Sequence, residues 1–210
     1  MAEQRRGRNP NHPRIGDAIK VDPIRDLAAI QHIKQRLLLS GNYRNYCIFV
    51  MGINMAWRAN ELLSITVGQV RSLEVGDLLE IKQSKNGKYR AVPVNETVVA
   101  AIRSWLALYE NCKSGPALKS KAPLFPSQKG GVLGVPALCN LVKKWCYDTG
   151  LEGNFGSHTL RKTWGYHQRF NFGSPIPLLM KAYGHSSERE TLRYLGIQAS
   201  EVAALYSKEL

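Results

Sequence analysis

Residues 157–167 read SHTLRKTWGYH and residues 178–197 read LLMKAYGHSSERETLRYLGI. His158 and Arg161 stand at i and i+3, which places them on one face of a helix. Arg161 offers a planar fork that can clamp a phosphate through paired hydrogen bonds. His158 can donate a hydrogen bond or exchange a proton near neutral pH. His185 follows Gly184 at a helix-end turn, and Tyr194 falls on the short helix after it. Taken singly, each has a bland explanation: a solvated helix face, a structural histidine, an aromatic residue packed into a core. Together they bring two imidazoles, a guanidinium and a phenol into one short segment.

Working outward, AWRANELLSI (56–65) places Arg58 three residues before Glu61. Glu61 suits an orienting partner for a buried arginine better than a base. Further on, IKQSKNGKYRAVPV (81–94) holds two strand-like runs, 78–82 and 89–94, around Asn86-Gly87, a strong hairpin-turn signal. The turn is rich in lysine, with Lys82, Lys85 and Lys88.

These motifs, in this order, resemble the tyrosine recombinase (phage integrase) family over about residues 22–205. The resemblance implies the fold of that family's catalytic domain. It also implies a set of roles. Arg58 and Arg161 hold the non-bridging oxygens of a scissile phosphate and neutralise the charge that grows in the transition state. Lys85 protonates the departing 5′ oxygen, with Lys82 or Lys88 as rival candidates. His158 serves as acid, base or hydrogen-bond donor, and His185 supports the phosphate or the nucleophile. Tyr194 attacks and forms a 3′-phosphotyrosyl bond. Such a reaction conserves the phosphodiester bond energy and uses no ATP, metal or cofactor. The expected partner is double-stranded DNA, held by a homotetramer spanning two sites, with DNA-bending proteins as accessory partners. The family's N-terminal helical DNA-binding domain has no counterpart in the pattern, an organisation similar to that of the fimbrial phase-switch invertases.

Two other readings use the same residues differently. A type IB topoisomerase shares the chemistry but relaxes any supercoiled plasmid, whereas a recombinase requires its sites. A non-catalytic DNA-binding accessory protein would form no covalent adduct.

Composition agrees with a nucleic-acid partner. The 210 residues carry 29 Lys and Arg against 16 Asp and Glu, a net charge of +13. That excess favours a polyanion. A hydrophobic fraction of 44% is ordinary for a globular chain. The longest apolar stretch, from Tyr46 to Trp57, is interrupted by Asn54 and ended by Arg58, too short for a membrane span. The N-terminus has arginines but no apolar core, unlike a signal peptide. Cys47, Cys112, Cys139 and Cys146 form no C-x-x-C pair and read as reduced thiols of a cytoplasmic, nucleoid-associated protein. No P-loop is present, and His158, His167, His185 and Cys146 match no zinc spacing.

Two regions follow from the patterning. Residues 1–21 form a basic, aperiodic arm whose Arg5, Arg6, Arg8 and Arg14, like Lys88 in the hairpin, are candidates to grip DNA phosphates. Residues 22–210 form one domain, mainly α with a small antiparallel β-sheet. Helices are expected from Asp22-Pro23 to about residue 40, over 43–56, over 60–65 and after an Asn95 cap. Others are expected over 138–147, from a Ser157 cap to Phe170, and over 175–183, 188–195 and 200–209. A long loop covers 113–134, with Gly130-Gly131 as a flexible part of it. The last helix, with Val202, Ala203, Leu205 and Tyr206, packs either on its own domain or on a neighbouring protomer.

Overall fold

In the computed structural model, the described residues are 21–82, 87, 89–111, 119–196, 203, 205–207 and 209. Arg5, Arg6, Arg8, Arg14, Lys85, Lys88 and Cys112 lie outside them. The described elements begin with α1 (Leu27–Leu39), α2 (Tyr43–Asn54), α3 (Ala59–Leu63) and α4 (Val67–Val70). The hairpin β1 (Leu78–Lys82) and β2 (Tyr89–Pro93) follows, then α5 (Glu96–Asn111) and α6 (Val135–Tyr147). α7 (Thr159–Phe170), α8 (Ile176–Tyr183) and α9 (Glu188–Leu195) close the series. The class is the one expected: mostly helical, with a two-stranded antiparallel sheet.

α2 is the central rod. Its sequence, YRNYCIFVMGIN, is apolar around most of its circumference, so it is buried on most sides. Cys47, Ile48, Phe49, Val50 and Met51 are fully inaccessible, and α1, α5 and α7 pack around them. A smaller apolar cluster of Ala56, Leu179, Tyr183 and Leu195 joins α8 and α9 to the end of α2, with Trp164 and Tyr194 at its edge. The candidate site lies where these two cores meet.

The hairpin pairs Leu78 with Pro93 through to Lys82 with Tyr89. Leu79 and Ile81 point inward and their neighbours outward. Arg90 faces Ile81 across the ladder and therefore shares its inward face.

Several boundaries differ from expectation. The first helix starts at Leu27, where the Asp26 carboxylate accepts from the Ala28 N–H at 2.8 Å. The preceding residues are extended because other partners take their backbone groups. Asp22 N–H donates to Asn154 O at 2.7 Å, Ile24 N–H donates to the Thr163 hydroxyl at 2.9 Å, and Ile24 O lies 2.9 Å from His167 Nε2. This strap ties the N-terminal side of the domain to α7. α6 begins earlier than 138 because Pro136 fits a first helical turn, where its missing N–H costs nothing. His158 rather than Ser157 occupies the N-cap of α7. α4 was not expected. The loop before α6 is more ordered than expected. Leu124 and Phe125 are fully buried, and Gly130 sits at φ 87° in a turn closed by the Ser127 N–H bond to Gly131 O.

Cys47 and Cys146 are buried free thiols, Cys139 is half-buried, and burial pushes Cys146 up to about 12. No described helix is long and apolar enough to cross a membrane.

Contact between α2 and α7 depends on Gly52. A Cβ there would lie 2.4 Å from Leu160 Cδ1 and 3.0 Å from Leu160 Cβ, on the helix that carries Arg161. Gly52→Ala should therefore cost about 1–3 kcal/mol through overpacking. The midpoint of urea unfolding reads this, and an unchanged midpoint would contradict the close packing.

Candidate active site

α2 ends at Asn54, and the chain turns sharply through Ala56 before α3. Ala56 has φ 51°, the only non-glycine at positive φ among the described residues. An alanine there is strained by about 1–3 kcal/mol, so the surroundings must hold it. Its carbonyl is the holding point. It accepts from Arg161 Nη1 and, at 3.3 Å, from Arg90 Nη1.

Arg58 follows as the N-cap of α3. Glu61, fully buried, accepts from the Arg58 backbone N–H at 2.8 Å through one oxygen. Its other oxygen accepts from Arg58 Nη1 at 2.9 Å. One carboxylate thus fixes both the backbone and the guanidinium of Arg58, the orienting role expected for it.

Arg161 is only 2% exposed. Besides Ala56 O, it donates to Tyr183 O at 2.7 Å through Nη2. Its guanidinium lies 5.7 Å from the centroid of the Tyr194 ring. The Lys162 ammonium lies 5.3 Å from the same ring. His158 reaches Tyr194 from the N-terminus of α7, with Nδ1 at 3.1 Å from the phenolic oxygen.

His185 leaves α8 through Gly184, whose φ of 68° makes the left-handed turn that ends the helix. Its Nδ1 lies 3.0 Å from the Thr191 hydroxyl and its Nε2 lies 3.9 Å from a Glu190 oxygen. Its ring meets the Tyr194 ring edge-on at 5.3 Å. Ser187 caps α9 by accepting from the Glu190 N–H at 3.2 Å, which sets the helix that presents Tyr194.

The structure therefore gathers Arg58, His158, Arg161, His185 and Tyr194 in one place. Lys85 and Lys88, between β1 and β2, are outside the described residues. Arg90 belongs to the same cluster and was not singled out from the sequence. The signal was available: in YRAVPV, alternation with Val92 puts Arg90 on the inner face of the strand. An open cleft of about 670 Å³, lined by Ala56, Tyr89, Arg90, Trp164 and Lys181 among others, runs beside it.

Electrostatics follow from burial. Desolvation, then the neighbouring Arg161, lowers Arg90 to about 10, and Arg58 acts in the same direction. Desolvation also lowers His158, reinforced by Arg161, Lys162 and Arg58, so its imidazole is neutral at pH 7. Tyr194 is pushed up to about 12 by desolvation, opposed by the charge of Arg161 and by Arg58. The resting phenol is thus protonated, beside a neutral imidazole that can accept its proton. Among the described residues, no group of three or more His, Cys, Asp and Glu side chains could hold a metal ion.

Comparison with known proteins gives the following. Residues 23–201 match the model of the phage integrase family. The chain is 33% identical over 187 residues to the "Probable integrase/recombinase YoeC" of Bacillus subtilis, covering 89% of this chain and 95% of that one. It is 30% identical over 152 residues to the tyrosine recombinase XerD of Corynebacterium glutamicum, covering 71% of this chain but 47% of the relative. Among solved structures, XerH bound to palindromic difH substrate in a post-cleavage complex superposes with a TM-score of 0.72 at 22% identity. That match covers 92% of this chain and 54% of XerH. XerA recombinase superposes at 0.70 with 18% identity, covering 93% of this chain and 65% of XerA.

Glu61 offers a direct check on the geometry. Glu61→Gln keeps the shape but replaces a charged acceptor of the Arg58 bonds with a neutral one. It should destabilise the fold by about 1.5–3 kcal/mol, the range for hydrogen bonds to charged groups. Thermal unfolding of the two proteins at equal salt measures this, and equal stability would show that Arg58 does not depend on Glu61.

Proposed function

Because the chain belongs to the phage integrase family of tyrosine recombinases, we propose that it cuts and rejoins double-stranded DNA at specific sites, with Tyr194 as nucleophile. The observation that carries this is the phenolic oxygen of Tyr194, 3.1 Å from His158 Nδ1, on a ring whose centroid lies 5.7 Å from the Arg161 guanidinium. In that arrangement His158 accepts the phenolic proton as the Tyr194 oxygen attacks phosphorus. The P–O5′ bond breaks, a 3′-phosphotyrosyl bond forms, and the 5′ oxygen takes a proton from Lys85, the donor implied by the family resemblance. Arg58 and Arg161 bind the non-bridging oxygens, and Arg90 adds a third positive charge behind them. The electrophilic role falls to guanidiniums. Rejoining runs the same steps backward from a new 5′ hydroxyl, so one phosphodiester replaces another without ATP.

Residues 1–21 act as a phosphate-gripping arm in this reading, and residues 22–210 as the catalytic domain. Tetramer assembly on two DNA sites is part of it as well. Leu205 and Tyr206, 63% and 86% exposed, leave apolar surface at the C-terminal end for a neighbouring protomer. The topoisomerase and accessory-protein readings are set aside, because the relatives named above are integrases and recombinases.

On a nicked suicide DNA substrate, the protein should form a covalent adduct that survives denaturation, also in excess EDTA. Tyr194→Phe should bind the same DNA and form none. Adduct formation by Tyr194→Phe, or its abolition by EDTA and restoration by magnesium, would refute the mechanism.

The acid limb of cleavage has a definite sign. His158 must be neutral to accept the proton, and its folded pKa lies below the ordinary 6.5. Cleavage at subsaturating DNA should decline as pH falls, with its midpoint below 6.5. His158→Gln should slow cleavage by about 10²–10⁴-fold and remove that limb. A midpoint above 6.5, or an unchanged limb in His158→Gln, would show that another group is the base.

A further inference from the structure

Tyr183 is fully buried and takes no part in the chemistry described above, yet it touches several of the groups that do. Its carbonyl accepts from Arg161 Nη2 at 2.7 Å. Its ring lies under the same guanidinium, 4.8 Å from centroid to Cζ. Its hydroxyl donates to the Arg161 backbone carbonyl at 3.1 Å and lies directly against Gly165. Arg161 O and Gly165 N are the two ends of one α-helical rung. The phenol oxygen is therefore bonded to the backbone of α7 at Arg161, over that rung, while the carbonyl and ring of Tyr183 hold the side chain of the same residue.

The other face of the ring does related work. It stacks on the His185 imidazole with centroids 4.9 Å apart and planes 18° apart. Its edge meets the Tyr194 ring at 5.0 Å. A Tyr hydroxyl can reach the helix rung only if residue 165 has no side chain. A Cβ on Gly165 would lie 1.7 Å from the Tyr183 oxygen and 2.6 Å from its Cζ. Gly165 sits in mid-helix, where glycine is unfavourable by about 0.5–1 kcal/mol relative to alanine. The close approach of the phenol is the physical reason for its presence.

Tyr183 is not a spare nucleophile. Burial raises its phenol, no solvent reaches it, and its hydroxyl proton is already donated to the Arg161 carbonyl. We propose that Tyr183, seated against Gly165, is a positioning residue that fixes Arg161, His185 and Tyr194 relative to one another. The inference rests on the reading of Arg161 and Tyr194 given under Proposed function.

The test compares wild type with Tyr183→Phe, Tyr183→Leu and Gly165→Ala. DNA affinity is measured by filter binding and single-turnover cleavage on the nicked suicide substrate. Tyr183→Phe keeps the ring and loses the grip on the helix rung. Misplacing reacting groups by about 1 Å costs up to about 100-fold. Cleavage should therefore fall about 10–100-fold in Tyr183→Phe and further in Tyr183→Leu, with DNA affinity unchanged within about twofold. Gly165→Ala should slow cleavage like Tyr183→Phe. Adding Tyr183→Leu to Gly165→Ala should recover thermal stability without recovering the rate.

Side-chain NMR of ¹⁵N-arginine protein supplies a readout independent of catalysis. Arg161 should give resolved, slowly exchanging guanidinium protons in wild type and broadened ones in Tyr183→Leu. Wild-type cleavage by folded Tyr183→Phe and Tyr183→Leu, or Arg161 resonances unchanged in Tyr183→Leu, would overturn the inference. Absence of any adduct with wild type, together with loss of the Arg161 resonances in Tyr183→Leu, would refute the recombinase mechanism and leave the positioning of Arg161 by Tyr183 standing.

Discussion

A guanidinium taken out of water must be given hydrogen-bond acceptors by the protein around it, and Arg161 is almost entirely out of water. Its acceptors are backbone carbonyls from distant parts of the chain: Ala56, at the turn leaving α2, and Tyr183, at the end of α8. Satisfying one cation therefore joins α7 to two other elements. The turn through Ala56 must aim its carbonyl inward, which explains a strained φ at a non-glycine position. The same turn delivers Arg58 to the site. The end of α8 is held in register with Arg161, so His185, two residues beyond Tyr183, and α9, which carries Tyr194, follow.

The site also accumulates like charge. Arg58, Arg90, Arg161 and Lys162 approach one another, with Glu61 as the buried carboxylate among them. Arg90 and His158 are lowered first by burial and then by these cations. An anion placed among them relieves repulsion that the free protein carries. In the proposed reaction, affinity for phosphate and electrostatic stabilisation of a more negative transition state would have this same source. Tyr194 stands in the opposite position: burial holds it protonated, and the cations pull it toward ionisation.

Much of this was legible from the sequence because it lies in short-range pattern. The H-x-x-R and G-H segments, Arg58 with Glu61 three residues on, and the Asn-Gly hairpin are local signals, and their strands and helices appear where expected. β1 and α9 match to the residue. What was missed depends on long-range contact. The start of α1 moved to Asp26 because Asp22 and Ile24 are engaged by Asn154, Thr163 and His167, far along the chain. Arg90 differs in part: its inward face is legible from alternation with Val92, whereas its place against Ala56 and Arg161 depends on tertiary contact. Tyr183 resembled any helical aromatic, since its meaning comes from Gly165 and Arg161 on another helix.

The strap at residues 22–24 has a mechanical consequence. It is stitched to α7 through Thr163 and His167, and to the segment before α7 through Asn154. A pull exerted from the N-terminal side therefore meets Asn154 and then the helix that carries Arg161 before it reaches α1. Load on that side passes through a few hydrogen bonds to the helix that frames the candidate site.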